Sequence, residues 1–196
     1  MADVLILHAM LPDDDGAAGA AALLARLPYA RRLELEGRDA AGRLAGLAGS
    51  ALALAGARRL RGRPVAVADL RFAAGGKPGL DGGPWFSVSH SARRVAVALS
   101  DRCELGLDLE DAGAQAVRIN AARLERWTAT EAALKAVGAG LRAAGRVRLA
   151  VDLATAEVDG VGVHLRPLAL GDGCVACLAT LAEVASLEVE RAEFEW

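Results

Sequence analysis

Two carboxylates, Asp108 and Glu110, stand two residues apart in a stretch that reads Leu-Gly-Leu-Asp-Leu-Glu over residues 105–110. Side chains alternate between the faces of a strand, so we expect the leucines on the core face and both acids on the opposite face. Carboxylates on one face repel each other unless a cation lies between them, and oxygen ligands of this kind suit Mg²⁺, which also keeps waters and binds substrate phosphate. The alternative is a solvated strand face that ends in a turn.

A third acid and a lysine, Glu131 and Lys135, lie four residues apart in a segment of helix-forming composition that follows Trp127. Residues four apart share one face of a helix and can contact the same ligand. Taken alone, this pair is typical of a surface salt bridge. Combined with Asp108 and Glu110, it predicts a site of three acids and one lysine that holds a metal-bound pyrophosphate.

Hydrogen-bonding side chains cluster at Ser89, His90 and Ser91, where a predicted strand ends and the chain must turn. Hydroxyl and imidazole groups can bind phosphate oxygens there. A serine-rich turn with an exposed histidine is the alternative. A serine hydrolase is disfavoured, because Ser89 and His90 are adjacent in sequence and the nucleophile-elbow pattern G-x-S-x-G is absent.

Two further groups of cations lie upstream. The glycine-rich loop at residues 75–79 carries Lys77 directly before Pro78 and does not fit the Walker pattern. The loop is either a surface turn or an anion-binding loop. A basic stretch is either a solvated helix face or a phosphate-binding one, and it contains Arg31, Arg32, Arg38 and Arg43.

The elements that would position these groups are helices and short strands. Composition predicts helices over residues 17–27, 31–37, 39–55 and 123–137, with glycines in the third that would permit close packing. Short apolar or alternating runs predict strands over residues 4–9, 70–73, 85–89, 94–100, 103–110, 147–153, 161–166, 173–181 and 184–191. This order predicts an α+β fold with mostly antiparallel strands. We expect two halves, residues 1–100 and 101–196, packed into one compact unit with a ligand cleft between them.

The composition narrows the class of protein. The 196 residues are 54% hydrophobic and carry a formal net charge of −2, which disfavours a nucleic-acid binder that depends on nonspecific attraction to phosphate. No signal peptide precedes the first strand, and the longest weakly polar stretch, residues 44–54, falls short of the roughly 20 residues that cross a bilayer. We therefore expect a cytoplasmic protein that is not in the membrane.

The three cysteines, Cys103, Cys174 and Cys177, cannot all be paired. Cys174 and Cys177 have C-x-x-C spacing, but they fall in a predicted strand, where residues three apart point to opposite faces. Core filling is therefore favoured over a redox or metal role.

Four segments taken in order resemble the 4'-phosphopantetheinyl transferase superfamily, specifically its Sfp-like type. They are Gly-Lys-Pro at residues 76–78, Phe-Ser-Val-Ser-His-Ser at 86–91, Gly-Leu-Asp-Leu-Glu at 106–110, and the run from Trp127 through Glu131-Ala132 to Lys135. The apolar strand at residues 171–179 also resembles the C-terminal strand of that family. The first third of the chain matches only loosely.

The resemblance implies a pseudo-twofold α+β fold with coenzyme A between the halves and Mg²⁺ on its pyrophosphate. Asp108, Glu110 and Glu131 match the family's metal ligands, Glu131 also being its proposed base. Lys135 and His90 match groups that offset phosphate charge during catalysis. Matches to coenzyme-binding positions are Lys77, Pro78, Ser89, His90, Asp108 and Lys135. The region that binds the 3'-phosphate in the family is occupied by Arg31, Arg32, Arg38 and Arg43.

The implied reaction moves 4'-phosphopantetheine from coenzyme A to a serine of an apo acyl or peptidyl carrier protein and releases 3',5'-ADP. The implied enzyme works as a monomer and without nucleic acid.

Two departures from the family pattern raise an alternative. Thr130 stands where the family has a lysine, and only 16 residues separate Glu110 from Trp127, a shorter connection than is usual. A degenerate relative that binds coenzyme A or a carrier protein without turnover is therefore a second hypothesis. A carboxylate-ligated metallohydrolase is a third, but the three dispersed histidines supply its ligands poorly.

Overall fold

A computed structural model describes residues 3–11, 17–72, 77–112, 121–194 and 196, and these form an α+β fold with mostly antiparallel sheets, as expected. The helices are α1 (Ala17–Arg26), α2 (Tyr29–Glu36), α3 (Ala40–Arg61) and α4 (Ala121–Ala136). The strands are β1 (Val4–Met10), β2 (Leu70–Arg71), β3 (Gly79–Leu80), β4 (Trp85–His90), β5 (Arg94–Ser100), β6 (Leu105–Asp111), β7 (Val147–Leu149), β8 (Thr155–Val158), β9 (Val161–Leu168), β10 (Cys174–Thr180) and β11 (Leu187–Arg191). Short 3₁₀ helices span Val67–Asp69 and Leu141–Arg146.

The first sheet has the strand order β11-β1-β5-β4 and is covered on one face by α3. That helix begins where Asp39 accepts a hydrogen bond from the backbone N of Gly42 (2.8 Å) and ends at Gly62, whose φ of 60° suits glycine. A methyl group on Gly49 or Gly56 would collide with the side chain beneath it, so these glycines do permit close packing on the sheet.

Helix α3 extends past the expected end at residue 55, because burial of its apolar residues outweighs the low helix propensity of its glycines. Among the described helices, α3 has the length and hydropathy of a membrane span, and 67% of that window is buried inside the protein. It forms the centre of the hydrophobic core on this side of the first sheet.

The second sheet has the order β6-β10-β9-β8-β7 and is covered by α4, which packs mainly on β6 and β10. Its first three positions correspond to β1-β5-β4 of the other sheet. In each case the first of the three strands is followed in the chain by a long helix and, after further short elements, by an antiparallel pair whose second strand lies in the middle of the three.

The two sheets share a core. Leu105, Leu107 and Leu109 of β6 pack against residues of β1 and β5 in one hydrophobic cluster, as expected for the core face of that strand. Cys174 packs against this cluster, whereas Cys177 lies in the cluster under α4, which confirms that the two thiols are on opposite faces.

Strand β11 crosses the expected division at residue 100, because it pairs in parallel with β1 in the first sheet. The carboxylate of Asp3 accepts hydrogen bonds from the backbone N of Ala185 (2.8 Å) and of Ser186 (3.1 Å) just before β11 begins. The first sheet is therefore built from both ends of the chain.

Candidate metal centre

Three carboxylates meet where β6 faces α4. Asp108 and Glu110 come from the strand and Glu131 from the helix, and each offers an oxygen within 4.8 Å of the others. The alternation of β6 points both of its acids toward α4. Gly106 on the same face lets the helix backbone near Ala132 approach the strand, which brings Glu131 to the two acids.

Asp108 is 3% exposed and its two oxygens have different surroundings. Oδ1 accepts hydrogen bonds from Ser89 Oγ (2.9 Å) and Lys135 Nζ (2.6 Å). Oδ2 is buried and has no hydrogen-bond partner in the part of the chain that the structure describes. A buried acceptor without a partner costs about 1–3 kcal/mol, which a cation bound at Oδ2 would offset.

The acids also repel each other. The pKa of Glu131 is raised to about 7, chiefly by burial and then by the charges of Asp108 and Glu110, while Lys135 and a hydrogen bond from Trp127 act in the opposite direction. Burial, followed by the charge of Asp108, likewise raises the pKa of Glu110. The three carboxylates offer only oxygen donors, which suit Mg²⁺.

The charges of three cations, Arg38, Lys135 and Arg31, act on His90, as does that of the carboxylate of Asp108. Burial lowers the pKa of His90, and the nearby charges of Arg38, Lys135 and Arg31 lower it further. The carboxylate of Glu34 joins two of these cations, at 2.7 Å from Arg31 Nη1 and 2.6 Å from Arg38 Nη2. A neutral imidazole beside arginines and a lysine is an environment that an anion would stabilise.

The four arginines of the basic stretch have different positions. Arg31 and Arg38 act on His90, whereas the guanidinium of Arg32 lies over the ring of Tyr29, 5.5 Å from its centroid. Arg43 and His90 line a cavity of about 1030 Å³ between α1, the start of α3 and the turn after β4. The assignment of these four arginines to a phosphate stays a prediction.

Lys77 lies apart from the acidic cluster. Its Nζ donates to Glu104 Oε2 (3.2 Å) and to the carbonyl of Ala136 (3.1 Å) at the end of α4. Burial lowers its pKa, and the hydrogen bond and charge of Glu104 act in the opposite direction. Lys77 holds the C-terminal end of α4, and Pro78, partly buried, follows it. These bonds use two of the three N–H donors of the Lys77 ammonium group.

Ser89 also has a role other than the expected one. Its hydroxyl is 5% exposed and is bonded to Asp108, Lys135 and the backbone N of Leu109. Its only proton is given to Asp108, so in this arrangement it has none for a phosphate oxygen.

Two departures from the family pattern can be located. The hydroxyl of Thr130 donates to the carbonyl of Arg126 (2.8 Å) in its own helix and supplies no charge. Half of the short connection lies at residues 113–120, outside the described residues.

No protein-family model matches this chain, and no curated protein matches it either. What the site can do is therefore inferred from its own geometry and from the motifs in the sequence.

Proposed function

We propose that this chain is a Mg²⁺-dependent 4'-phosphopantetheinyl transferase of the Sfp-like type. It would transfer 4'-phosphopantetheine from coenzyme A to a serine of an apo acyl or peptidyl carrier protein, as a monomer in the cytoplasm. The observation that carries the proposal is the convergence of Asp108, Glu110 and Glu131 within 4.8 Å, with Lys135 bonded to Asp108 and His90 beside them.

The corresponding strand orders of the two sheets support the proposed pseudo-twofold fold. In each, a strand, a long helix and two further strands are arranged alike, and the acids lie on the strand that opens the second set. A site between two such halves suits a ligand that both must hold.

The charge distribution supports coenzyme A as the donor. Coenzyme A carries a diphosphate and, separately, a 3'-phosphate. The acidic cluster suits a diphosphate that is bound through a metal ion, and the group formed by His90, Arg31 and Arg38 suits a phosphate that binds directly. Lys135 is bonded to Asp108 and its charge also acts on His90; among the described residues its Nζ donates to Asp108 and Ser89, which leaves a third N–H for a phosphate oxygen.

Asp108, Glu110 and Glu131 would hold the Mg²⁺. When bound, Mg²⁺ supplies positive charge that neutralises the diphosphate. Phosphoryl-type transfer is catalysed mainly by positioning and by such neutralisation.

In the proposed reaction the serine oxygen of the carrier attacks the β-phosphorus of coenzyme A. The new P–O bond replaces the bond to the departing 3',5'-ADP, and the serine proton is released. Lys135 and His90 would offset negative charge on the departing phosphate. Glu131 would accept the serine proton directly or through a water, and general-base help of this kind is worth roughly 10²–10⁴ in rate.

Mass spectrometry of an apo carrier protein incubated with this chain, coenzyme A and Mg²⁺ tests the proposal. We expect the carrier to gain the mass of phosphopantetheine, and we expect no gain with a chelator or with a carrier whose acceptor serine is alanine. The assay needs a panel of carriers from fatty-acid, polyketide and nonribosomal peptide synthesis. Coenzyme A binding without any gain across the panel would contradict transfer and favour a binding module, and no binding at all would contradict both.

A further inference from the structure

The two sheets are joined at β4 and β6 by serine hydroxyls. Ser87 Oγ accepts a hydrogen bond from the backbone N of Leu107 (3.0 Å), and Ser89 Oγ accepts one from the backbone N of Leu109 (3.2 Å). The two strands belong to different sheets. These side-chain hydrogen bonds therefore connect the two sheets, as backbone hydrogen bonds connect neighbouring strands within one sheet. Both serines are buried.

Only Ser89 also contacts the acidic cluster. A hydroxyl has one donor and two acceptor positions. Ser89 donates to Asp108 Oδ1 and accepts from Leu109 N and Lys135 Nζ, so all three positions are filled. The hydroxyl is thereby fixed in orientation.

The consequence appears at Asp108. Oδ1 receives the hydrogen bonds from Ser89 and Lys135, and Oδ2 is left buried and without a partner among the described residues. With Oδ1 fixed, the carboxylate cannot turn to exchange its two oxygens without breaking both bonds. Oδ2 is therefore held in a fixed position, with its lone pairs available to a cation.

We infer that Ser89 is a positioning residue, which orients Asp108 to present Oδ2 to a divalent cation, and that it does not bind a phosphate of the substrate. The inference rests on the proposed metal centre. It assigns Ser89 to the group of outer hydrogen-bond partners that align a metal ligand. Lys135 also donates a hydrogen bond to Oδ1 of Asp108, but its donors to Asp108 and Ser89 are two of the three N–H groups it has.

The chain offers a matched control for this inference. Ser89→Ala and Ser87→Ala each remove one hydroxyl that joins β4 to β6, but only Ser89→Ala removes the donor to Asp108. Mn²⁺ is the probe, because it accepts oxygen ligands like Mg²⁺ and its binding is followed by electron paramagnetic resonance.

We expect Ser89→Ala to weaken Mn²⁺ binding by roughly 10-fold or more, the loss typical of an outer-shell partner, and Ser87→Ala to leave it within about 2-fold. A purely structural role would lower the melting temperature of both variants and their Mn²⁺ affinity alike. Equal affinities in the two variants would overturn the inference and leave the proposed function standing. A wild-type protein that does not bind Mn²⁺ would overturn both.

A second measurement separates positioning from phosphate binding. If Ser89 acts through the metal, coenzyme A binding to Ser89→Ala recovers to the wild-type value when Mn²⁺ is raised to saturation. A deficit that persists at saturating Mn²⁺ would show a direct phosphate contact and overturn the inference. Should Ser89→Ala fail to fold, Ser89→Cys keeps the approximate volume with a weaker donor, and the same loss of Mn²⁺ affinity is expected.

Discussion

Gly106 of β6 lies against the backbone of α4 at Ala132, where a methyl group on the glycine would come within 3.0 Å of the Ala132 carbonyl oxygen. The same methyl group would also be too close to the backbone N of Ala136. No side-chain movement relieves a collision with helix backbone. The separation between the strand and the helix, and with it the distance from Asp108 to Glu131, therefore depends on the absence of a side chain at residue 106.

Gly106→Ala is expected to push α4 away from β6. Overpacking of this kind typically costs about 1–3 kcal/mol of folding free energy. Urea unfolding measures the loss, and Mn²⁺ affinity should fall with it because the ligands separate. Gly162→Ala in β9 is the matched control, since a methyl group there meets no atom within 4 Å. Equal stability of the two variants would contradict the close approach.

Asp108→Asn is expected to abolish stabilisation by Mg²⁺. A cation that binds only the folded protein raises its free energy of unfolding, by about 2.7 kcal/mol at 100 times the dissociation constant. Asparagine keeps the shape of this buried side chain, which is 3% exposed, whereas alanine would remove the hydrogen-bond acceptor of Ser89 and Lys135.

The measurement is the melting temperature with and without millimolar Mg²⁺. Glu125→Gln, an exposed change on the same helix as Glu131, should keep the wild-type response. A Mg²⁺ shift that survives in Asp108→Asn would remove Asp108 from the metal centre.

Stability should depend on pH through Glu131. Its pKa rises from the ordinary 4.5 to about 7 in the folded, metal-free protein. The folded state therefore holds a proton that the unfolded state has lost, and the favourable contribution present below pH 4.5 disappears as the pH rises to about 7. Mg²⁺ requires the ionised carboxylate, so its stabilising effect should be larger at pH 8 than at pH 6.

Thermal unfolding at the two pH values, with and without Mg²⁺, checks this prediction. Glu131→Gln should be more stable than the wild type at pH 8 without metal, because the repulsion is removed. An equal Mg²⁺ effect at pH 6 and pH 8 in the wild type would show that ionisation of Glu131 is not linked to metal binding.

Arg38 and Arg32 should differ in their effect on coenzyme A. Arg38 lies near His90 and Arg32 lies over Tyr29. A hydrogen bond to a charged group contributes about 1.5–3 kcal/mol, so Arg38→Gln should weaken coenzyme A binding by roughly 10-fold to 100-fold and Arg32→Gln by little. Calorimetry with coenzyme A and with its 3'-dephospho form tests the assignment. The loss of affinity in Arg38→Gln should be absent when the ligand is the 3'-dephospho form. An equal loss of affinity for both ligands would contradict a contact between Arg38 and the 3'-phosphate.

The sequence predicts local features that follow from short-range patterns. Strand β5 was expected over residues 94–100 and spans Arg94–Ser100, because its apolar run is bounded by clear breaks. The alternation of β6 correctly separates Leu107 from Asp108, since a side-chain period of two depends on the backbone alone.

Features that depend on distant contacts were not predictable in the same way. The β8 strand, Thr155–Val158, was missed, because only two of its four residues are buried and its apolar signal is weak. The partners of Lys77 lie 27 and 59 residues away, and no local pattern indicates them. The bond from Ser89 to Asp108 likewise joins strands of different sheets. For the candidate site, the sequence thus indicated which residues would meet, and the structure gives how their hydrogen bonds are divided.

The parallel pairing of β11 with β1 has a consequence for synthesis of the chain. Until residues 187–191 leave the ribosome, β1 is an open edge of its sheet, with backbone groups exposed along Val4–Met10. Strand β1 is thus made well before its partner β11, and any pause or premature stop before residue 187 leaves a nascent chain prone to pair with its neighbours.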